Sequence, residues 1–371
     1  DIFIDENGIS LSGYSESSDS TGLLSQYKEV EPIEFQTHKI LPSATALFKS
    51  AILVPGADKK RQEAGASDKI VRMAEELRPF LGDEITKAFI DIKNNPVSQN
   101  SLIIYELGNR VQCENILLRN LGDNVTISYF RPDEQTRMPV YITSGIGLSS
   151  VIMPGFAPGF NDSCIAFYDN YMITGNSYVT VSRFLYDNIL NKTLANDIMY
   201  REFERMIPTR AGFLFYCIPS YSIDYLSGFL NQKLISGLKS NKSSLDKIQS
   251  VGFQLASING MIYNNLSVSY MEVVREKSTT EWETLLDTTA GIKPFFFTNH
   301  NTGAKEIFIQ DIKNNAYLIN AAGRVLWKVP LEEKIIGSVF MVDYYRNGKY
   351  QLLFSGRNHL HLLDRNGNYV D

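Results

Sequence analysis

The last eighty residues of the chain contain one unit written twice, 44 positions apart, Gly323 to Gly367. The run from Lys305 to Gly323 lies over the run from Lys349 to Gly367. A gapless alignment also sets Phe296 on Phe340, Asn299 on Asp343, Asn314 on Asn358 and Leu318 on Leu362. Units of this length, made of short apolar strands and Gly turns, cannot bury their faces alone and must stack. That is the signature of propeller blades. The tail is therefore expected to be a scaffold, which points toward a binding or structural protein and away from a self-contained enzyme. Two blades do not close a ring of about four to eight, and open blades leave strand edges unpaired. The expectation is that further polypeptide follows Asp371, or that these strands pair elsewhere.

With 371 residues, the chain has room for two or three domains. Its net charge of -5, with acids and bases interspersed, argues against nucleic acid as a partner. No apolar run is long enough to span a membrane. Residues 1–5 lack the basic and apolar regions of a signal peptide, although a signal or membrane anchor removed upstream remains compatible with the sequence. Cys113, Cys164 and Cys217 are too few and too scattered for a disulfide framework or a zinc knuckle. Three buried thiols are expected, with a Cys164–Cys217 bridge as the alternative.

Residues 1–36 read as a flexible polar leader, with Ser15–Gly22 free of apolar residues. A strand is expected over 44–53, a helix from Asp68 to Leu81, and a helical or mixed stretch over Glu84–Ile92. Strands are expected over 101–107, 114–119 and 124–130. A hairpin turns at Asp169-Asn170, and helices cover 177–190 and 197–206. The run 205–217 then echoes 39–51, each with Pro followed by an apolar run. A helix over 223–238 and paired strands follow. The expected fold class is α+β. Two related α+β units with antiparallel sheets (37–204 and 205–290) precede about two propeller-like blades (291–371).

The run from Asp169 to Asn176, the helix after it, and the run from Leu194 through Pro208 to Tyr216 resemble a bacterial extracytoplasmic family, the domain of unknown function numbered 3352. The similarity covers roughly residues 38–290. It implies export to the cell envelope and supplies no catalytic residues. Separately, the run Asn320-Ala-Ala-Gly323-Arg-Val-Leu-Trp327-Lys328 resembles the end of a quinoprotein-type propeller repeat. That resemblance implies that Trp327 packs between neighbouring blades, with Gly323 and Gly367 as repeat-structural positions.

Candidate chemistry is sparse. His359 and His361 alternate on a strand and share a face, but two imidazoles fall short of a zinc set. Asp343 opens an acidic Gly turn that could begin a calcium loop, with a hairpin turn as its ordinary role. Gly145-Ile-Gly147 lacks the remaining marks of a phosphate loop. No nucleophile elbow, His-Glu-x-x-His or Walker motif occurs. The loop Met153–Phe160 carries Phe156 and Phe160 between two Pro-Gly turns, and these rings are the candidate anchors for a protein partner. The sequence reading is thus a non-catalytic envelope binding or scaffold protein without a cofactor. The alternative is an enzyme or periplasmic ligand binder with a site where the α+β body meets the repeats.

Overall fold

The computed structural model describes residues 1–16, 24–53, 67–133, 136–226, 230–271 and 282–370. The chain divides into two compact units. One comprises Asp1–Phe130, Met138–Asn188 and Lys192–Lys277, and the other comprises Arg131–Arg137, Ile189–Asn191 and Ser278–Asp371.

The first unit opens with strands β1 (Ile2–Asp5), β2 (Gly8–Ser15) and β3 (Thr45–Ile52). Helix α1 (Asp68–Leu77), strands β4 (Leu81–Ile90) and β5 (Ser101–Leu107), and helix α2 (Arg110–Leu121) come next. Strands β6 (Thr126–Phe130) and β7 (Met138–Ile142), helix α3 (Leu148–Ile152), and strands β8 (Cys164–Tyr168) and β9 (Tyr171–Gly175) follow. Helices α4 (Tyr178–Ile189) and α5 (Ile198–Arg205) lead to β10 (Phe213–Cys217). Helices α6 (Pro219–Leu226), α7 (Gln232–Ser240) and α8 (Lys242–Leu245) lead to β11 (Ile248–Ile258) and β12 (Met261–Tyr270).

Its strands form a single twelve-stranded sheet in the order β1-β2-β12-β11-β10-β3-β4-β5-β9-β8-β7-β6. Every neighbouring pair in it is antiparallel. The expected separate units 37–204 and 205–290 are therefore joined in one sheet. Strands β3 and β10 lie side by side at its centre, with Leu47 opposite Cys217 and Ala51 opposite Phe213. Helices cover both faces, so the central strands are apolar on both sides. On one face Leu77, Leu117 and Ile152 pack on Ile85, Ile103 and Tyr105. On the other, Val181, Phe184 and Phe203 pack on Phe48, Ile104 and Ala166.

Several sequence expectations are corrected. Residues 2–5 and 8–15 are strands, not a flexible leader, and β2 pairs with β12 from Gly8 to Ser15. Most of the Ser15–Gly22 stretch lies outside the described residues. Residues 84–90 are strand, because β4 carries Glu84 and Lys87 in a central position where charges hide the apolar alternation. Residues 114–119 are helical: Asn109 caps α2 by accepting from Gln112 N at 3.1 Å, and Cys113, Ile116, Leu117 and Leu121 share its buried face. The expected strand over 44–53, the Asp169 hairpin and the helix over 177–190 coincide with β3, β8–β9 and α4. All three cysteines are free and buried, so Cys164 and Cys217 are not bridged.

In the second unit, β13 (Phe295–Thr298), β14 (Lys305–Gln310), β15 (Asn315–Ile319) and β16 (Val325–Pro330) form one antiparallel sheet. Strands β17 (Ile336–Val342), β18 (Gln351–Ser355) and β19 (Leu360–Leu363) form a second. The connectivity repeats, but not without a gap. Ile309 pairs with Tyr317, whereas Phe354 pairs with His361, so the second hairpin is one residue shorter. The copies are displaced by 45 positions before that hairpin and by 44 after it. Hence Phe295, not Phe296, is the counterpart of Phe340, while Leu318 does correspond to Leu362.

Candidate functional site

The repeat unit is a stack, and its layers can be followed residue by residue. One face of the first sheet carries Ile309, Tyr317 and Ile319, covered by Trp282, Leu286 and Ile292. Its other face carries the cross-strand row Phe295–Phe308–Leu318. That row is covered by the second sheet: Phe308 and Leu318 are fully buried with Leu352, Phe354 and Leu363. The Phe308 and Phe354 rings lie 5.4 Å apart. The equivalent row on the second sheet is Phe340–Leu353–Leu362. It faces outward, with Phe340 58% exposed and Leu353 and Leu362 half-buried. Ile336 and Leu360, both exposed, extend the same face on either side of Ser355.

Glycine and tryptophan set the layer contacts. Gly323 and Gly367 have φ of +80° and +84°, the left-handed region that favours glycine. A Cβ on Gly323 would come within 2.7 Å of the Trp282 ring, and one on Gly367 within 2.9 Å of the Trp327 ring. Each tryptophan thus rests on the glycine turn of the next sheet, and Trp327 Nε1 donates to Arg365 O at 2.8 Å. Both turns are built the same way. Asn320 Oδ1 accepts from Ala322 N and Arg324 N, and Asp364 Oδ1 accepts from Asn366 N and Asn368 N. Between the layers, the buried Glu306 carboxylate takes two hydrogen bonds from Arg365, at 3.1 and 2.5 Å.

His359 and His361 converge on one carboxylate. His359 Nδ1 and His361 Nε2 each lie 3.2 Å from Glu333 Oε1. His361 is buried, stacked on Phe354 with ring centres 5.1 Å apart, and its Nδ1 is 2.9 Å from the Tyr369 hydroxyl. Burial opposes ionisation of Glu333, but bonds from Asn358 N–H, both imidazoles and His359 N–H outweigh it and hold the carboxyl at about 2. The arrangement ties the 333 loop to the second sheet. Asp343 is spent on its own turn, accepting from Asn347 N and Gly348 N. Among the described residues no three His, Cys, Asp or Glu side chains are grouped to hold a metal ion.

Phe156 and Phe160 do not form a surface. Each is only 4% exposed and belongs to the core of the first unit. Lys49 Nζ lies 4.3 Å from the Phe156 ring centre, and Lys87 Nζ lies 5.7 Å from that of Phe160. Burial, with Lys87 as a like-charged neighbour, lowers Lys49 to about 8. The loop tucks inward because Ser150 Oγ bonds Ala157 O and receives Phe160 N–H. The Gly145–Gly147 loop is likewise closed to ligands. The α3 N-terminus that Gly147 opens is occupied by the Asp162 carboxylate, which accepts from Ser149 N at 2.7 Å and from the Ser149 hydroxyl. Asp162 is fully buried, which pushes its pKa up to about 6.

The sequence shows the 44-residue spacing of Gly323 and Gly367 and singles out Trp327, but it gives no signal for Trp282. The exposed row Phe340–Leu353–Leu362 is not singled out there, because an apolar strand face does not by itself tell whether another sheet covers it. Of its matches to Phe295, Phe308 and Leu318, only that of Leu362 to Leu318 is given by the gapless alignment. Comparisons with protein-family models, curated proteins and solved structures give no match for this chain.

Proposed function

We propose that this is a non-catalytic binding or scaffold protein whose repeat unit stacks further antiparallel sheet onto the outer face of β17–β18–β19. The observation that carries the reading is the pair of equivalent rows. Phe295–Phe308–Leu318 is covered by a sheet, while Phe340–Leu353–Leu362 is open. An apolar row that one copy buries under its successor is shaped for another such successor. Burying exposed Phe and Leu side chains stabilises by roughly 1.5–3 kcal/mol each, enough to hold a sheet in place. The repeated Trp-on-Gly contact supports a propeller-type stack, and that stack would present loops to a protein partner. The β3–β10 pairing supports an internal duplication, because aligning Pro42 with Pro208 makes it the pairing of two copies about a two-fold axis. An extracytoplasmic location remains part of this reading, resting on the sequence resemblance alone.

The test is a Phe340→Ser/Leu360→Ser double variant, examined by sedimentation and by binding of an apolar fluorescent dye. The wild-type chain is expected to bind dye and to self-associate as concentration rises. The variant, altered at exposed positions, should lose both while keeping its far-ultraviolet spectrum. Equal dye binding and association in the two proteins would remove the basis for the reading.

A further inference from the structure

The large-sheet unit contains a cavity of about 380 Å³ that the stacking reading does not use. Phe48 and Tyr200 form its apolar wall, and Glu34, His38, Glu204 and Gln254 its polar side. Two features show what the cavity lacks. Gln254 is 4% exposed; its Nε2 donates to Pro208 O at 2.9 Å, but its Oε1 has no hydrogen-bond partner. A buried oxygen left unpaired is destabilising, so this wall is short of a donor. The second feature is His38. Its Nδ1 lies 3.1 Å from Phe35 O, and since a carbonyl only accepts, the proton is assigned to Nδ1. Nε2 then presents a lone pair, 3.5 Å from Glu204 Oε1. Burial, the largest influence on this imidazole, favours its neutral form. His38 Nε2 and Glu204 Oε1 thus lie side by side as two acceptors, where one donor placed in the cavity could reach both.

The charge balance agrees. Glu34 and Glu204 bring two carboxylates to the wall. The one arginine there, Arg205, donates to Glu202 at 2.8 Å. The aromatic wall is preformed: the Phe48 and Tyr200 ring centres are 6.2 Å apart, and the His38 ring stacks on Tyr200 at 5.9 Å.

We propose that this cavity binds a small organic cation, a primary ammonium carried on an apolar body of about one aromatic ring. The ammonium donates to Gln254 Oε1, His38 Nε2 and Glu204, and the ring lies against Phe48 and Tyr200. The volume falls in the range of small-ligand pockets, and an anion of the same shape would meet two carboxylates.

The experiment is calorimetric titration of the full chain with benzylammonium, benzyl alcohol and benzoate, supported by saturation-transfer NMR. Benzylammonium is expected to bind saturably with one site. Benzyl alcohol should bind at least about tenfold more weakly, the loss of one charge-assisted interaction, and benzoate should give no saturable signal. Glu204→Gln, at a partly exposed position, should weaken benzylammonium by about tenfold and leave the circular dichroism spectrum unchanged; Gln254→Leu should weaken it comparably. Absence of saturable benzylammonium binding to the wild type would overturn the proposal. So would equal binding of benzoate, or an unchanged affinity in Glu204→Gln.

Discussion

Replacing Gly367 by Ala perturbs the layer contact at one point and leaves the rest of the repeat unit intact. Two contributions add. An L side chain at φ +84° is strained by roughly 1–2 kcal/mol. The new Cβ would also sit 2.9 Å from the Trp327 ring. That indole is pinned by its bond to Arg365 O and packs on Phe308 with ring centres 6.1 Å apart. Relieving such overpacking takes about 1–3 kcal/mol, so the expected loss is about 2–5 kcal/mol. Gly323→Ala should lose a similar amount, since its φ is +80° and the Trp282 ring is 2.7 Å away. Gly348 supplies the control. Its φ is +78° with nothing within 4 Å of an added Cβ, so Ala there carries only the strain of roughly 1–2 kcal/mol. The assay is built into the sequence. The chain has two tryptophans, Trp282 and Trp327, and both lie in the repeat unit against these glycines. Urea unfolding followed by tryptophan emission therefore reports this unit, with ΔG extrapolated linearly to water. Equal losses at positions 348 and 367 would refute the packing argument and leave backbone strain as the whole effect.

Other outcomes follow from the buried charges and rings. Glu333 is held near 2 in the fold, below its ordinary range, so its contribution is full above about 4.5 and is lost as pH falls toward 2. Glu333→Gln should flatten that acid limb in the tryptophan emission, and an unchanged limb would contradict the bonding described. Asp162 is raised to about 6, so its protonated form suits the fold, and stability falls as pH rises through 6. Asp162→Asn should compare more favourably with wild type at pH 8 than at pH 5 in thermal melts; a pH-independent difference would be evidence against it. Lys49 is lowered to about 8, so wild-type stability should rise as pH increases through 8. Lys49→Met should be more stable than wild type at pH 7 by about 1–3 kcal/mol, read from circular dichroism melts. Phe156→Ala should destabilise the first unit by about 3–5 kcal/mol, because the ring is core; a near-neutral result would return it to the surface.

What the sequence made legible follows from which residues carried a clean period. Helix α4 announced itself through Val181, Phe184, Leu185 and Ile189, and the β8–β9 hairpin through Asp169-Asn170. Asp169 takes a φ of +45° that suits Asp and Asn. Strand β4 hid because Glu84 is buried with its carboxyl group held by Gln36 N, Thr37 N and the Thr37 hydroxyl, a tertiary arrangement no local pattern encodes. Residues 1–36 read as a leader because the Ser15–Gly22 stretch within them lacks apolar residues, yet residues 2–5 and 8–15 are strands. Their order comes from β12, which lies far along the chain and pairs Leu11 with Leu266 and Ile9 with Val268. Phe156 and Phe160 looked like anchors because two Pro-Gly turns hold them on one loop, but Lys49 and Lys87 beneath them make an aromatic lid favourable. The repeat was visible; its one-residue slip was not, since Leu352 and Leu353 are adjacent and either spacing sets a leucine on Phe308. The cavity residues gave no sequence signal, because Glu34, His38, Glu204 and Gln254 come from distant segments and none stands in a motif.

The central claim is that the outer face of β17–β18–β19 accepts another sheet of its own kind. It is tested most directly by lengthening the protein: residues 1–370 followed at once by a second copy of residues 327–370. This places Trp327 of the added copy beside Leu362, as Trp327 stands beside Leu318. Amide hydrogen exchange over residues 351–355 and 360–363 is then compared with that of the original chain. The account predicts at least about tenfold slower exchange in the lengthened protein as the row Phe340–Leu353–Leu362 is covered. Unchanged exchange, with the added copy itself unprotected, would contradict it.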